Sequence, residues 1–143
     1  MIIQAFLRWV ETARTGERIR AASALGRAYV DAQLNGLDRR AAEMAMTFLL
    51  DVPSPKVRLA LAEALCSCSS VPRAIILGLA GDQPEIAYLV VSHSPVLSDD
   101  DLVDLAARGT LENRALIAAR SFVSRGVAAA IAEIGDEDEM LIL

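Results

Sequence analysis

The sequence predicts an all-α chain in which about nine to ten short helices stack as a solenoid. Three stretches support this prediction: 77–89, 105–117 and 131–143 each hold an apolar run, a glycine, a helix-capping residue and a second apolar run. Such repetition is typical of helical-repeat proteins, whose helix pairs bury their apolar faces only against neighbouring pairs. Hydrophobic residues make up 54% of the chain but aromatic residues only 4%. Small aliphatic side chains are therefore expected to pack closely spaced helices.

The first fifty residues predict three N-terminal capping helices. Apolar residues three or four positions apart indicate a first helix over about 2–14, and Gly16 is expected to end it in a left-handed conformation. The next periodic segment predicts a second helix that runs to the stop signal Asn35-Gly36. Asp38 is expected to cap the third helix.

Residues 51–143 predict the repeats themselves. The first expected helices here are 55–67, with Pro55 at its first position, and 71–80. An Asp82–Glu85 capping box is expected to open the next helix, and the one after it is opened by Ser98 and Asp101 and closed by Gly109. The last three are 111–120 capped by Thr110, 125–134 closed by Gly135, and a tenth helix from Asp136. Equivalent capping residues lie 31, 28 and 26 residues apart. The last repeat is incomplete, so we expect the natural chain to continue past Leu143.

Charge is distributed unevenly along the chain and bears on its partners. The net charge is −5, yet residues 1–80 sum to +3 and residues 81–143 to −8. The acidic half should repel nucleic acid and attract a basic partner segment. Arg8 and Glu11 interrupt the apolar pattern of the N-terminal stretch, which therefore predicts an amphipathic helix and neither a signal peptide nor a membrane span. The chain has only two cysteines and no disulfide framework, which fits a reducing compartment. We therefore predict that the protein is cytoplasmic.

No group of residues predicts catalysis, a cofactor or a metal site. The densest carboxylate cluster comprises Asp99, Asp100, Asp101 and Asp104. A metal or acid–base site is one interpretation, but acids in a first helical turn complement the helix dipole without a ligand. Cys66, Cys68 and His93 offer three zinc ligands where a structural site needs four. The chain also lacks a nucleophile with a matching base and a glycine-rich phosphate loop, so we expect no enzyme.

A nucleic-acid-binding protein is the least favoured interpretation. Some helical-repeat proteins bind DNA, among them a family of alkylpurine glycosylases. A basic face could be formed by Arg14, Arg18, Arg20, Arg27, Arg39 and Arg40. Acidic residues interleave with these arginines, however, and such mixtures are usually salt-paired surface. Trp9 lies on an apolar stripe and is expected in the core, which leaves few aromatic residues for base stacking.

The most distinctive motifs of the chain are two segments, "LLDVPSPKVRLALAEAL" at 49–65 and "SPVLSDDDLVDLA" at 94–106. In these segments, and less specifically over nearly the whole chain, the sequence resembles an uncharacterised family of alphaproteobacterial HEAT-like repeat proteins, a domain of unknown function. The resemblance implies a right-handed α-α superhelix and no catalytic residues. The chain length and the lack of a linker or composition shift predict one domain over 1–143, with capping helices at 1–50 and HEAT-like repeats at 51–143.

The sequence favours a non-enzymatic adaptor that docks a protein or peptide, with a basic segment as the expected partner. If the second helix of each pair lines a concave side, the candidate contacts are Arg73, Asp101, Asp104, Arg108, Arg125 and Glu133. The alternative function is an assembly module that pairs with another copy or with downstream repeats. Its candidate face is Met140, Leu141, Ile142 and Leu143.

Overall fold

A computed structural model describes residues 14–142 together with Ala5, Arg8 and Trp9, and gives side chains as far as Asp136. This part of the chain forms eight α-helices and no strand. The helices are α1 (Thr15–Asp31), α2 (Gly36–Leu49), α3 (Pro55–Leu65), α4 (Arg73–Ala80), α5 (Pro84–His93), α6 (Asp99–Arg108), α7 (Leu111–Ala118) and α8 (Arg125–Ile142). The all-α prediction is confirmed, whereas the predicted count of nine to ten is too high for this region. Most of the predicted first helix, 2–14, lies outside the described residues.

The largest difference from the prediction concerns the last helix. A break at Gly135 and a new helix at Asp136 were expected, yet α8 runs without interruption from Arg125 to Ile142. An interior glycine costs a helix only about 1 kcal/mol relative to alanine, which the other residues of an 18-residue helix can offset. No glycine in the described part of the chain has a positive φ, so Gly135 does not adopt the conformation that ends helices.

Four of the predicted helix starts and stops are also wrong. The predicted stop signal Asn35-Gly36 instead opens α2, and Asn35 caps this helix in place of the predicted Asp38. The Asn35 side chain accepts a hydrogen bond from the Asp38 backbone N–H at 2.9 Å. Asp82 does not cap α5, which begins after Gln83, because its carboxylate is bound elsewhere. Gly16 is the second residue of α1 and ends no helix.

The predicted caps of α6 and α7 are confirmed. Ser98 and Asp101 form a complete capping box at the start of α6, and the Thr110 hydroxyl accepts a hydrogen bond from the Asn113 N–H at 3.3 Å. Gly81 and Gly109 follow the last residues of α4 and α6, as predicted. Only Gly109 and Thr110 separate α6 from α7, and these two helices pack against each other across this short turn.

The helices pack in a regular order. α1, α3, α5 and α7 contact one another in sequence as a row, and α2, α4, α6 and α8 each pack against one or two members of that row. The fully buried side chains are mostly long aliphatic ones, including Leu61, Leu65, Ile75, Ile76, Leu79, Ile86 and Ile117. The starts of α4, α6 and α8 are 26 residues apart, at 73, 99 and 125. Trp9, expected in the core, is 39% exposed.

Helices α1 and α3 approach closely where Gly26 faces α3. A Cβ atom placed on Gly26 would lie 2.6 Å from the Cβ of Ala64, well inside van der Waals contact. Glycine therefore sets the separation of these two helices, because any side chain would force them apart.

A polar cluster ties the first two helices to the connection between α3 and α4. The buried Tyr29 hydroxyl lies 3.0 Å from Glu43 Oε1 on α2 and 3.0 Å from the Ser70 carbonyl oxygen, and it shares its proton between these acceptors. Arg39 donates to the same carbonyl at 2.9 Å, and its guanidinium lies 4.8 Å from the centre of the Tyr29 ring. These contacts join residues far apart in the sequence.

This cluster gives the fold a defined sensitivity to alkali. Burial, reinforced by the Glu43 carboxylate, raises the pKa of Tyr29 from 10 to about 12. Because the folded-state pKa lies above the ordinary value, the stabilising contribution of the neutral phenol is complete below pH 10 and is lost as the pH rises towards 12. We expect the urea midpoint to fall over this interval more steeply in the wild type than in Tyr29→Phe. Parallel pH profiles for the two proteins would contradict the assignment.

Candidate functional site

The α4–α5 pair and the α6–α7 pair border a groove with a volume of about 920 Å³. All four helices contribute to it, so the groove exists only where two consecutive pairs are stacked. The apolar lining comprises Leu77, Ala80, Pro84, Ala87, Tyr88, Leu105, Ala115 and Leu116. Several of these side chains are small, which leaves space between the pairs that larger aliphatic residues would fill.

Charged side chains also line this groove, and most of them are paired. The lining contains four acidic residues, Asp82, Asp101, Asp104 and Glu112, and two basic ones, Arg73 and Arg108. Three of the acids form salt bridges to arginines: Arg58–Asp82, Arg73–Asp101 and Arg108–Asp104. The rim therefore carries more negative than positive charge even though most of its acids are neutralised locally.

Asp101 is fixed by the fold itself. Its carboxylate accepts a hydrogen bond from the Ser98 N–H at 3.0 Å, as the acidic member of the capping box, and also binds the Arg73 guanidinium of α4. The Arg73 guanidinium holds the pKa of the Asp101 carboxyl below its usual value. Asp101 is only 6% exposed. This side chain joins two helix pairs and offers little surface to a partner.

Asp82, at the other end of α4, is held in the same way by Arg58. The Nε and Nη2 atoms of Arg58 donate to the two carboxylate oxygens of Asp82 at 2.6 and 3.2 Å, while Nη1 donates to the Val52 carbonyl oxygen at 2.6 Å. Both side chains are nearly buried, at 13% and 12% exposure. The bidentate pair fixes the position of α3 relative to the turn between α4 and α5.

Among the groove residues that the sequence analysis did not predict, two are exposed side chains suited to binding a partner. Tyr88 on α5 is 49% exposed, and Glu112 occupies the first turn of α7, where it is also exposed. Glu112 forms no salt bridge with any residue in the described ranges. Tyr88 interrupts the aliphatic run 86–91 of α5, and that aromatic residue was the only signal available in the sequence.

The structure brings together four of the six predicted contact residues. Arg73, Asp101, Asp104 and Arg108 line the groove, whereas Arg125 and Glu133 are exposed on α8 and are not part of its lining. Their roles as partner contacts remain predictions. The side chains of the predicted assembly face, Met140, Leu141, Ile142 and Leu143, lie outside the described residues.

The residues considered for metal binding are dispersed. Asp99 and Asp100 are exposed in the first turn of α6, and His93 is exposed at the end of α5. Cys66 and Cys68 are free, with the Cys68 sulfur 3.2 Å from the Ser70 hydroxyl oxygen. Among residues with described positions, no three His, Cys, Asp or Glu side chains converge. In the same part of the chain, no helix combines the length and the apolar character needed to cross a membrane.

Comparison with known proteins connects part of the chain to a family. Residues 86–143 match the model of a family described as "Uncharacterised protein conserved in bacteria (DUF2336)". The match covers less than half of the chain, from α5 onward, and includes Tyr88, Asp101 and Glu112 of the groove. No curated protein and no solved structure matches the chain. Residues 86–143 are thus similar to an uncharacterised bacterial domain, which confirms the predicted resemblance at this coarser level.

Proposed function

We propose that this chain is a HEAT-like helical-repeat module that acts in the bacterial cytoplasm as a non-enzymatic adaptor, docking a segment of a protein partner in the groove between α4–α5 and α6–α7. The observation that carries the proposal is the composition of this groove. An apolar floor with an exposed aromatic ring, bordered by charged side chains, is the combination that protein-binding surfaces use.

The packing order supports the HEAT-like part of this proposal. Helices α1, α3, α5 and α7 contact one another in sequence, α6 contacts α8, and α4, α6 and α8 begin at equal intervals of 26 residues. Repeat proteins derive both their stability and their extended binding surfaces from such nearest-neighbour stacking. The free thiols of Cys66 and Cys68 support a reducing compartment.

The state of the groove side chains supports docking over catalysis. Asp82, Asp101 and Asp104 are each bound to an arginine, so their carboxylates are engaged in fold contacts. The Thr110 hydroxyl, the one hydroxyl of an aliphatic side chain in the lining, serves as the cap of α7. A volume of about 920 Å³ accommodates several side chains of an extended or helical segment.

Filling the groove should abolish docking without disturbing the fold. Ala115 is exposed and lines the groove, so Ala115→Trp places a large ring where the partner would lie. Ala118 is exposed on the same helix but is not part of the lining, which makes Ala118→Trp the matched control. We expect the purified partner to bind Ala115→Trp at least about tenfold more weakly than the control, a difference of about 1.4 kcal/mol.

The partner would first be identified by affinity capture, and binding would then be measured by isothermal titration calorimetry with each variant. Circular dichroism would establish that both variants retain the wild-type helix content. Equal affinity for Ala115→Trp and Ala118→Trp would rule out the groove as the docking site. Light scattering that shows the protein binding its own copies, with loss in Ala115→Trp, would favour the assembly function instead.

A further inference from the structure

We propose that the groove recognises an arginine side chain of the partner segment, held between the ring of Tyr88 and the carboxylate of Glu112. This inference rests on the proposed docking function and specifies the chemistry of the segment. It is carried by the charges of the groove, by the exposure of Tyr88 and by the apolar surface around them.

The charges of the groove leave one acid available. Arg73 and Arg108 pair with Asp101 and Asp104, and Asp82 is neutralised by Arg58 from outside the groove. Glu112 is the remaining acid, and the hydrogen bond that its Oε2 accepts from the Thr110 hydroxyl is a long one, at 3.5 Å. A ligand cation is therefore complementary to the one carboxylate of the lining that lacks a salt bridge within the described structure.

Tyr88 adds a second element that favours a cation. Its ring is half exposed and borders the same groove as Glu112, on the neighbouring helix of the row. A guanidinium can stack on an aromatic face while its N–H groups bind a carboxylate in a fork, and an ammonium cannot do both as well. The pair Tyr88 and Glu112 is thus better suited to arginine than to lysine.

The surroundings favour a peptide over other cationic ligands. Leu77, Leu105 and Leu116 line the groove next to the charged rim, so an aliphatic residue beside the arginine would bury apolar surface. The excess of acidic groups opposes phosphate-bearing ligands. The occupant with matching chemistry is therefore a protein segment in which an arginine lies near an aliphatic side chain.

Selection from a phage-displayed library of random short peptides tests this inference directly. The enriched peptides would be synthesised with a fluorophore, and their affinities measured by fluorescence anisotropy. We expect them to share an arginine next to an aliphatic residue, and we expect arginine→glutamine in the peptide to weaken binding about tenfold or more, with arginine→lysine in between.

Variants of the protein show whether Glu112 reads that arginine. Glu112→Gln should lower the affinity for the arginine peptide about tenfold and leave the affinity for the glutamine peptide unchanged. A double-mutant cycle reports this coupling between Glu112 and the peptide arginine. Glu85→Gln is the matched control, because Glu85 is an exposed acid in the first turn of α5 and is not part of the groove lining. Tyr88→Leu should reduce the preference for arginine over lysine.

The outcomes separate this inference from the docking function beneath it. Suppose that the selected peptides no longer bind Ala115→Trp but lack an arginine, or that they bind Glu112→Gln as tightly as the wild type. Either result would overturn the arginine inference and keep the docking function. If no peptide is enriched, or if the enriched peptides are indifferent to Ala115→Trp, both proposals fail. Loss of arginine-dependent binding in Glu112→Gln, with Glu85→Gln unaffected, supports both.

Discussion

Replacing Arg58 with alanine should lower the free energy of unfolding by about 3 kcal/mol, since it removes the only salt-bridge partner that the described residues give to a nearly buried carboxylate. The Asp82 side chain is only 12% exposed, and Arg58 supplies both of its guanidinium contacts. The same substitution removes the hydrogen bond to the Val52 carbonyl oxygen. Urea unfolding followed by circular dichroism measures the loss.

The control for this prediction is the exposed pair within α6. Arg108→Ala removes a one-turn salt bridge at the surface and should cost no more than about 0.5 kcal/mol. The double substitution Arg58→Met and Asp82→Leu should recover most of the stability lost in Arg58→Ala, because it removes both charges together. A loss in Arg58→Ala no larger than in Arg108→Ala would show that Arg58 and Asp82 are not paired in a buried environment.

Gly26→Ala should lower the free energy of unfolding by about 1 to 3 kcal/mol, although alanine is the better helix former. The new Cβ would lie 2.6 Å from that of Ala64, and both atoms are rigidly attached to their backbones. Helices α1 and α3 must therefore separate, which weakens the packing of Leu61 and Leu65 at the same contact. The gain in helix propensity, at most about 1 kcal/mol, does not offset this loss.

A matched substitution separates the steric effect from helix propensity. A Cβ on Gly36 meets no atom of the described residues within 4 Å, so Gly36→Ala should leave stability unchanged or slightly raised. Combining Gly26→Ala with Ala64→Gly restores the space, and the pair should be more stable than the sum of the two single effects predicts. Strict additivity in this double-mutant cycle would show that the two positions are not in contact.

The sequence predicted those features of the fold that depend on neighbouring residues. The capping box of Ser98 and Asp101 and the cap at Thr110 involve positions three residues apart, so their pattern is visible in the chain. The helix end predicted at Gly135 is wrong because glycine is both a common helix stop and a tolerated interior residue. Which of the two occurs depends on whether the backbone adopts the left-handed conformation there. The cap predicted at Asp82 is wrong because the Asp82 carboxylate binds Arg58, 24 positions away in the sequence.

The candidate site was harder to predict because it forms between helix pairs. The sequence identified the charged residues of α4 and α6 but not Tyr88 and Glu112, whose significance depends on which acids find a partner. Helix caps and apolar periodicity do not predict which acidic residues pair with an arginine on another helix. One signal was present nevertheless: Arg58 and Asp82 are 24 residues apart, and Arg73 and Asp101 are 28 apart, both close to the 26-residue interval between the starts of α4, α6 and α8.

These salt bridges also limit how the sequence can change in length. Each joins an arginine to an aspartate 24 or 28 residues further along, so the length of the helix between them helps to determine whether the two groups meet. Inserting or deleting a residue within α4 would rotate later positions of that helix by about 100° relative to earlier ones. The length of α4 is thus constrained by charge pairing as well as by core packing. Length variation should be tolerated best in the connections between helices.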